Sequence, residues 1–440
     1  MERLFAAWSR MLERLFPDPF TLSLLLTLAT MIVALLLTPH GPAELVGFWG
    51  DGLWSFLGFA MQMGLILVTG QALAEATIVA RALRKIASAP RNMAQAAGLV
   101  SLCAMTAAWL NWGFGLIVGA ILARQVADAL VERLEGEEHV SRGLLGAAGY
   151  TGLAFWHGGI SGSSPLAVAQ SGHSFEDLCG VIPMSETVFS GRNLGLSVAL
   201  LILVPAFLVL LSHLGIATKN QPVAPLPEQP ESGPVGAPEK LLVLVMTVLA
   251  LFWWVNFNSG LGLNTVIFCF LFLGLLAHGS ASRYAGALDR ATGSISGIVL
   301  QFPFYAGIIG IASKSGLVEV VSGGFVAASE VVNNSIGFQP FLLFVFLSAG
   351  LANLFVPSGG GQWMIQGPIV LTAAAKLNLE PSSAIMAVSY GDQWTNLLQP
   401  FWALPLLSIT GLKPAQLLSV TTLLLIFEGL VVCTFLAVFH

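Results

Sequence analysis

FQPFLLFVFLSAGLANLFVPSGGGQWMIQGPIVLTAAAK, residues 338–376, is apolar enough for lipid at both ends but broken in its middle by Pro357-Ser358-Gly359-Gly360-Gly361-Gln362. Backbone N–H and C=O groups are not left unpaired in hydrocarbon, so such a break must be buried in protein or line a cavity. The stretch reads either as two crossings or as one re-entrant hairpin, and in both cases the chain returns to the side it left. Residues 93–131 have the same construction, interrupted by Asn111-Trp112-Gly113-Phe114-Gly115. Two more polar breaks fall inside apolar sequence, WHGGISGSSP at 156–165 and DQWTNLLQP at 392–400.

The whole chain of 440 residues is 56% hydrophobic and 9% charged, with a mean hydropathy of +0.83. A soluble domain carries far more surface charge, so the excess apolar surface must face lipid. A crossing needs about 20 apolar residues, and stretches near that length occur at 20–38, 53–74, 143–172, 192–214, 240–256, 261–278, 292–312, 383–411 and 415–439. The predicted fold class is an all-α polytopic membrane protein. The net charge of -5 is scattered, with no basic run for nucleic acid. Cys103, Cys179, Cys269 and Cys433 lie far apart, a spacing that suits neither zinc nor a disulfide framework. Over residues 1–19 apolar side chains share one helical face opposite Arg3, Arg10, Glu13 and Arg14. With no small-residue cleavage site following, this segment reads as an interfacial amphipathic helix rather than a signal peptide.

Of the 18 Lys and Arg residues, all but Arg192, Lys314 and Lys376 fall on cytoplasmic segments when the N-terminus is cytoplasmic, which sets the orientation. Residues 218–239 carry six prolines and read as a cytoplasmic linker. On either side the chain repeats at an offset near 240: Tyr150 with Tyr390, Ser164-Pro165-Leu166 with Leu404-Pro405-Leu406, Gln62 with Gln301, and Asn111 with Asn353. The expected division is repeat 1 over 20–217 and an extra helix plus repeat 2 over 240–440. Repeat 1 has its hairpin at about 93–131 and its broken helix at about 143–172; repeat 2 has them at about 338–376 and 383–411. Five crossings separate the repeats, an odd number, so the second is inverted, with the site at the repeat interface.

The four interruptions offer helix N-terminal N–H groups, which favour anions, and hydroxyl, amide and carbonyl oxygens, which suit a sodium ion. None of them contains Lys or Arg. A carboxylate held there needs helix dipoles and a co-bound cation or proton, which points to symport. Asp392 is the one acid in the four breaks and is expected either protonated or cation-bound. His157 reads either as a proton-coupling group or as a residue satisfying a backbone carbonyl. Glu428, mid-way along the last span, is a second proton site or an acid at a scaffold or subunit contact. Gln62 and Gln301 either join helices or touch substrate. Trp112, Trp156, Trp363, Trp394 and Trp402 either wall a small apolar cavity or pack ordinarily. Against all of this stands the plainer reading that the glycines merely allow close helix packing. A membrane-embedded enzyme would need paired metal ligands or a nucleophile beside a base, and the sequence offers only lone histidines. A passive channel is the remaining alternative.

The runs WGDG (49–52), NWGFGLIVGA (111–120), QFPFYAGI (301–308), VPSGGGQWMIQGP (356–368) and QPFWALP (399–405) resemble the bacterial short-chain fatty acid transporters, the acetoacetate and butyrate permeases. The resemblance spans nearly the whole chain. It implies a non-enzymatic secondary transporter, a multi-pass protein of the bacterial inner membrane, working as a homodimer with an elevator motion and taking no cofactor beyond Na+ or H+ as coupling ion. It implies substrate contacts at Asn111, Trp112, Gly113, Ser161, Ser163, Ser164, Ser358, Gly359, Gly360, Gln362, Trp394 and Asn396. Ion coupling is implied at Asp392, His157, Asn111 and Asn353, with a sodium ion at the hairpin tips. The Ser-Asn-Thr tip of the related dicarboxylate symporters is replaced here by Leu110-Asn111-Trp112 and Pro357-Ser358-Gly359. The expected substrate is a short-chain monocarboxylate, with another small organic anion (a di- or hydroxycarboxylate) as the alternative.

Overall fold

The computed structural model describes Trp8, Met11 and residues 19–55, 57–136, 139–215, 236–257, 263–336 and 340–438. The predicted interfacial helix, apart from Trp8, Met11 and Pro19, and residues 218–235 of the predicted linker lie outside the described residues. Among the described residues every regular element is a helix. In chain order they are α1 (Pro19–Leu37), α2 (Pro42–Gly52), α3 (Leu57–Glu75), α4 (Thr77–Ala87), α5 (Met93–Leu110), α6 (Trp112–Arg133), α7 (Arg142–Tyr150), α8 (Ser163–Val168), α9 (Glu176–Cys179) and α10 (Gly191–His213). Then follow α11 (Ala237–Phe257), α12 (Leu263–His278), α13 (Ala281–Thr292), α14 (Ser296–Lys314), α15 (Leu317–Ile336), α16 (Phe341–Asn353), α17 (Gly359–Lys376), α18 (Pro381–Thr395), α19 (Pro400–Thr410) and α20 (Pro414–Val438).

Among the described residues seven helices (α1, α3, α5, α6, α10, α11 and α20) are long and apolar enough to cross a membrane, and α14 with α15 form one further candidate pair bent by 56°. The chain is a multi-pass membrane protein. Polar side chains set where helices begin, as expected where the first amides have no intrahelical acceptor. Asn92 Oδ1 accepts from Gln95 N, Ser190 Oγ from Asn193 N and Ser280 Oγ from Arg283 N. Helix α19 ends on Gly411 in the left-handed conformation, φ 70°, just before Pro414 opens α20.

Glycine brings helix backbones together where a hydrophobic driving force between helices is weak. A Cβ on Gly119 would lie 2.0 Å from Gly149 O, which locks α6 to α7, and one on Gly391 would lie 2.2 Å from Phe346 O, which locks α18 to α16. A Cβ on Gly310 would sit 2.4 Å from Phe48 O, joining α14 to α2. The main core joins α5–α7 and α16–α20, with α3 and α14 packed along one flank. Helix α11 buries only Val243 and Ala250 and leaves the rest of its apolar surface open, as suits a lipid-facing helix.

The spans read from the sequence omit α15, although together with α14 it forms a candidate span. It begins after Gly316 in the left-handed region (φ 76°) and carries Glu319, Gly323, Gly324, Glu330, Asn333 and Asn334, which lower its apolar average. The two hairpins also differ. Arms α5 and α6, of 18 and 22 residues, reach about 27 and 33 Å, whereas α16 has 13 residues and reaches only about 20 Å.

Candidate functional site

Two unwound segments meet inside the core. The first leaves α7 through the 3-10 turns Thr151–Ala154 and Trp156–Gly158 before α8; the second leaves α18 through Asn396–Leu398 before α19. Unwound backbone has unpaired carbonyls, and each segment supplies partners to the other. Tyr150 Oη donates to Asn396 O and Gln399 O, both at 3.0 Å, and Asn396 Nδ2 donates to Leu153 O at 3.1 Å. In return Gln393 Oε1 accepts from His157 N at 3.0 Å and Gly158 N at 3.4 Å. Tyr390 Oη donates to Asn193 Oδ1 at 3.0 Å, and Asn193 Nδ2 donates to Gly158 O at 2.8 Å. The two tyrosines related by the 240-residue offset thus each brace the other half's break, one directly and one through Asn193.

His157 and Asp392 adjoin at the centre of this contact. His157 Nε2 lies 3.1 Å from Asp392 Oδ1, with side chains 0% and 3% exposed. The approach is a close contact without hydrogen-bond alignment, since both ring nitrogens and Asp392 Oδ2 lack a hydrogen-bond partner. Asn353, at the end of α16, fastens the second break: its Nδ2 donates to Asp392 O, Thr395 Oγ1 and Asn396 Oδ1 at 2.8, 3.0 and 2.9 Å. Its own carbonyl accepts from Gln399 Nε2.

The hairpin tips abut the turn after His157 from two directions. At the first tip, Asn111 Oδ1 accepts from Gly113 N and Phe114 N at 3.0 and 3.2 Å, and Trp112 N donates to Ser161 Oγ at 3.1 Å. The N-terminal amides of α6 are therefore occupied, contrary to the expectation that this tip offers free N–H groups; the asparagine cap consumes them. At the second tip, Ser358 Oγ accepts from Gly361 N at 3.3 Å and Ser358 O from Gln362 N at 2.7 Å. The amides of Gly359 and Gly360 lie before these bonds, at the positive end of α17. Gly359 is pressed into the cluster, because a Cβ there would lie 2.6 Å from His157 Nε2 and 2.9 Å from Ser163 Oγ. Gly360 faces open space, with nothing within 4 Å of its would-be Cβ.

Four buried acceptors around these segments lack hydrogen-bond partners: Ser164 Oγ, Asn353 Oδ1, Gln362 Oε1 and Asp392 Oδ2. Gln362 Nε2 is occupied by Ala349 O and Gln366 Oε1, and Gln366 in turn donates to Ser322 of α15 at 2.6 Å. Oxygen ligands of this kind suit a hard cation. Among the described residues no three His, Cys, Asp or Glu side chains gather as a metal site.

An aromatic wall runs from the first tip to α19. Trp112 meets Trp402 at 5.0 Å and Trp156 at 5.9 Å, and Phe401 stacks on Phe302 at 4.3 Å and touches Tyr305 at 5.2 Å. Phe59 of α3 closes it against Phe302, Phe401 and Trp402. Tyr305 Oη and Trp156 Nε1 within this wall are buried and unpartnered. The other two tryptophans lie elsewhere. Trp363 packs on Phe175, while Trp394 packs on Phe346 and donates to Leu425 O at 2.7 Å. Gln62 donates to Asn264 Oδ1 at 2.7 Å, which joins α3 to α12; Gln301 Oε1 is buried without a partner, as are both oxygens of Glu428. Sequence reasoning did not single out Asn193, Gln393, Gln399 or Tyr305. The Tyr150–Tyr390 offset was the one available pointer to this bracing.

Comparison with known proteins places the chain in a family. A sequence profile described as "Short chain fatty acid transporter" matches residues 1–222 and 237–439. A protein of Escherichia coli (strain K12) is 38% identical over 98% of both chains, and one of Haemophilus influenzae (strain ATCC 51907 / DSM 11121 / KW20 / Rd) is 38% identical over 95% of both. Both are provisionally named short-chain fatty acid transporters. Two solved structures are more distant, each 15% identical: MtrF of Neisseria gonorrhoeae, presented as one of a class of antimetabolite efflux pumps, and the YdaH transporter of Alcanivorax borkumensis. The first covers 98% of this chain and 97% of its own at a TM-score of 0.42, the second 95% and 98% at 0.38.

Proposed function

The chain belongs to the short-chain fatty acid transporter family and is a membrane transporter, and from that premise we propose an ion-coupled symporter for short-chain monocarboxylates such as butyrate or acetoacetate. The observation that carries this reading is the buried His157–Asp392 pair set against the N-terminus of α17. A carboxylate at the Gly359–Gly360 amides gains the positive helix end and finds no Lys or Arg in any of the four interruptions. Its charge then calls for a co-transported cation, a proton on the His157–Asp392 pair or a sodium ion among the unpartnered oxygens of Ser164, Asn353, Gln362 and Asp392. The aromatic wall of Trp112, Phe302, Phe401 and Trp402 suits a short alkyl chain and offers no cation to a second carboxylate.

The order of elements supports inverted repeats and re-entrant hairpins. Helices α1–α3, the α5–α6 hairpin, the α7–α8 break and α10 run in the same order as α12–α14, the α16–α17 hairpin, the α18–α19 break and α20. Pairings between distant segments support the parity of crossings. Lys314 meets Asp51 at 2.7 Å on the side read as external, and Arg290 meets Glu75 at 2.6 Å on the side read as cytoplasmic. Placement in a bacterial inner membrane, assembly as a homodimer and elevator motion complete the proposal. On a cysteine-free background, Asn378→Cys is expected to react with an impermeant thiol reagent in intact cells, and Ser88→Cys only after permeabilisation. The reverse pattern defeats the orientation.

The symport itself is tested in proteoliposomes by counterflow of labelled butyrate, with sodium and pH gradients imposed one at a time. One of the two gradients is expected to drive accumulation beyond the acid's own gradient. Uptake that never exceeds that gradient makes the protein a passive pathway, and preference for dicarboxylates selects the alternative substrate class.

A further inference from the structure

A cavity of about 650 Å³ lies apart from the paired breaks, between the start of α10, the start of α18 and the end of α20. Leu342, Met386 and Phe435 supply apolar wall, and Glu186, Arg192, Glu380 and Ser383 are among its polar lining residues. From Glu380, which caps the start of α18, the lining residues Ser383, Met386 and Tyr390 follow on successive turns, from exposed Glu380 to buried Tyr390, so Tyr390 marks the deep end. Arg192 Nη1 donates to Ser383 Oγ at 2.9 Å and stands 3.4 Å from Glu380 Oε2, with side chains 50% and 71% exposed. Solvent screens such a pair, so its net contribution is small and an incoming anion can replace it. The deep end is wired to the site already described: Tyr390 Oη donates to Asn193 Oδ1, and Asn193, the residue after Arg192, holds Gly158 O beside His157.

We propose that this cavity is an entry site for the substrate anion, where a short-chain carboxylate takes the place of Glu380 on Arg192. The inference rests on the reading of the chain as a monocarboxylate carrier. Arg192 presents a guanidinium suited to bidentate carboxylate binding, with the Ser383 hydroxyl beside it. Leu342 and Met386 flank it with room for a few methylene groups, and a doubly charged acid has no second cation to meet among the lining residues. Glu186 also lines the cavity, so two carboxylates outnumber Arg192 and capture rests on the direct guanidinium contact rather than on a net positive field, while the translocation site, whose four interruptions have no Lys or Arg, does the coupling. Glu380 acts as the resident competitor that keeps capture reversible.

The test uses the full chain, reconstituted in one orientation, with labelled butyrate offered from each face in turn. Arg192→Gln is expected to raise KM by about tenfold from the face that bears the cavity. KM from the opposite face and the maximal exchange rate stay at wild-type values. Glu380→Gln is expected to lower KM from the cavity's face only. An equal rise in KM from both faces, or an unchanged KM in a well-folded Arg192→Gln protein, overturns the proposal. Repetition in bilayers with and without anionic lipid separates the free acid from a lipid phosphate, because an effect that vanishes without anionic lipid assigns Arg192 to the lipid and also overturns it. Absence of butyrate exchange in the wild-type protein is a different result and defeats the functional reading itself.

Discussion

Replacement of Asp392 by asparagine is expected to reduce accumulation to the level of the acid's own gradient while substrate-for-substrate exchange continues. Asparagine keeps the shape of the side chain, but the buried contact with His157 loses its ionisable carboxyl. Exchange needs binding and movement and no net ion flux, so it survives where coupling fails. A structural role predicts something else. Breaking a buried ion pair that holds the fold costs about 3–5 kcal/mol, and both activities then fall with the folded fraction. Gradient-driven accumulation, exchange and the thermal midpoint are measured on one preparation. Full accumulation by a well-folded Asp392→Asn protein excludes Asp392 as the coupling residue and turns attention to Glu428, whose two carboxyl oxygens are buried without partners.

Much of the chain's course was legible because membrane sequence has little room for ambiguity. Long apolar runs must be helices, and Pro357-Ser358-Gly359 or Asn111-Trp112-Gly113 in their midst must interrupt them. Helix α15 was not among the spans read from the sequence, although it is apolar enough to form a candidate span with α14; its two glutamates, two asparagines and paired glycines do not prevent helix formation. The site divides along the same line. Interruptions mark where backbone becomes free, a local property of Gly, Pro and Asn. What the free backbone bonds to depends on residues about 240 positions away, as with Tyr150 on Asn396 O and Gln393 on His157 N. The approach of His157 to Asp392 belongs to this second kind, whereas the capping of the α6 amides by Asn111 is local, two and three residues along the chain. Trp394 shows the limit of composition: its ring serves the contact between α18 and α20 rather than the aromatic wall, because Gly429 leaves it room there.

Two adjacent glycines at the second tip are expected to behave in opposite ways. A Cβ on Gly359 would lie 2.6 Å from His157 Nε2 and Cε1. His157 cannot retreat, since it is fully buried, its ring centroid is 3.6 Å from that of Trp156 and its backbone is held by Gln393. Overpacking of this kind costs about 1–3 kcal/mol. The displacement is expected to fall on the His157–Asp392 contact, so Gly359→Ala should lower the maximal exchange rate by about tenfold or more, equivalent to about 1.4 kcal/mol. On Gly360 the same methyl meets nothing within 4 Å and lies in the first turn of α17, where alanine is a better helix former than glycine. Gly360→Ala should therefore fold at least as well as wild type and keep its maximal rate. Its methyl narrows the approach to the amides at which the carboxylate is proposed to dock, so KM rises instead. Thermal midpoints and exchange rates at saturating and limiting butyrate separate the two effects. If both variants lose rate alike, the tip works by glycine flexibility, and the close approach of Gly359 to His157 is not what transport depends on.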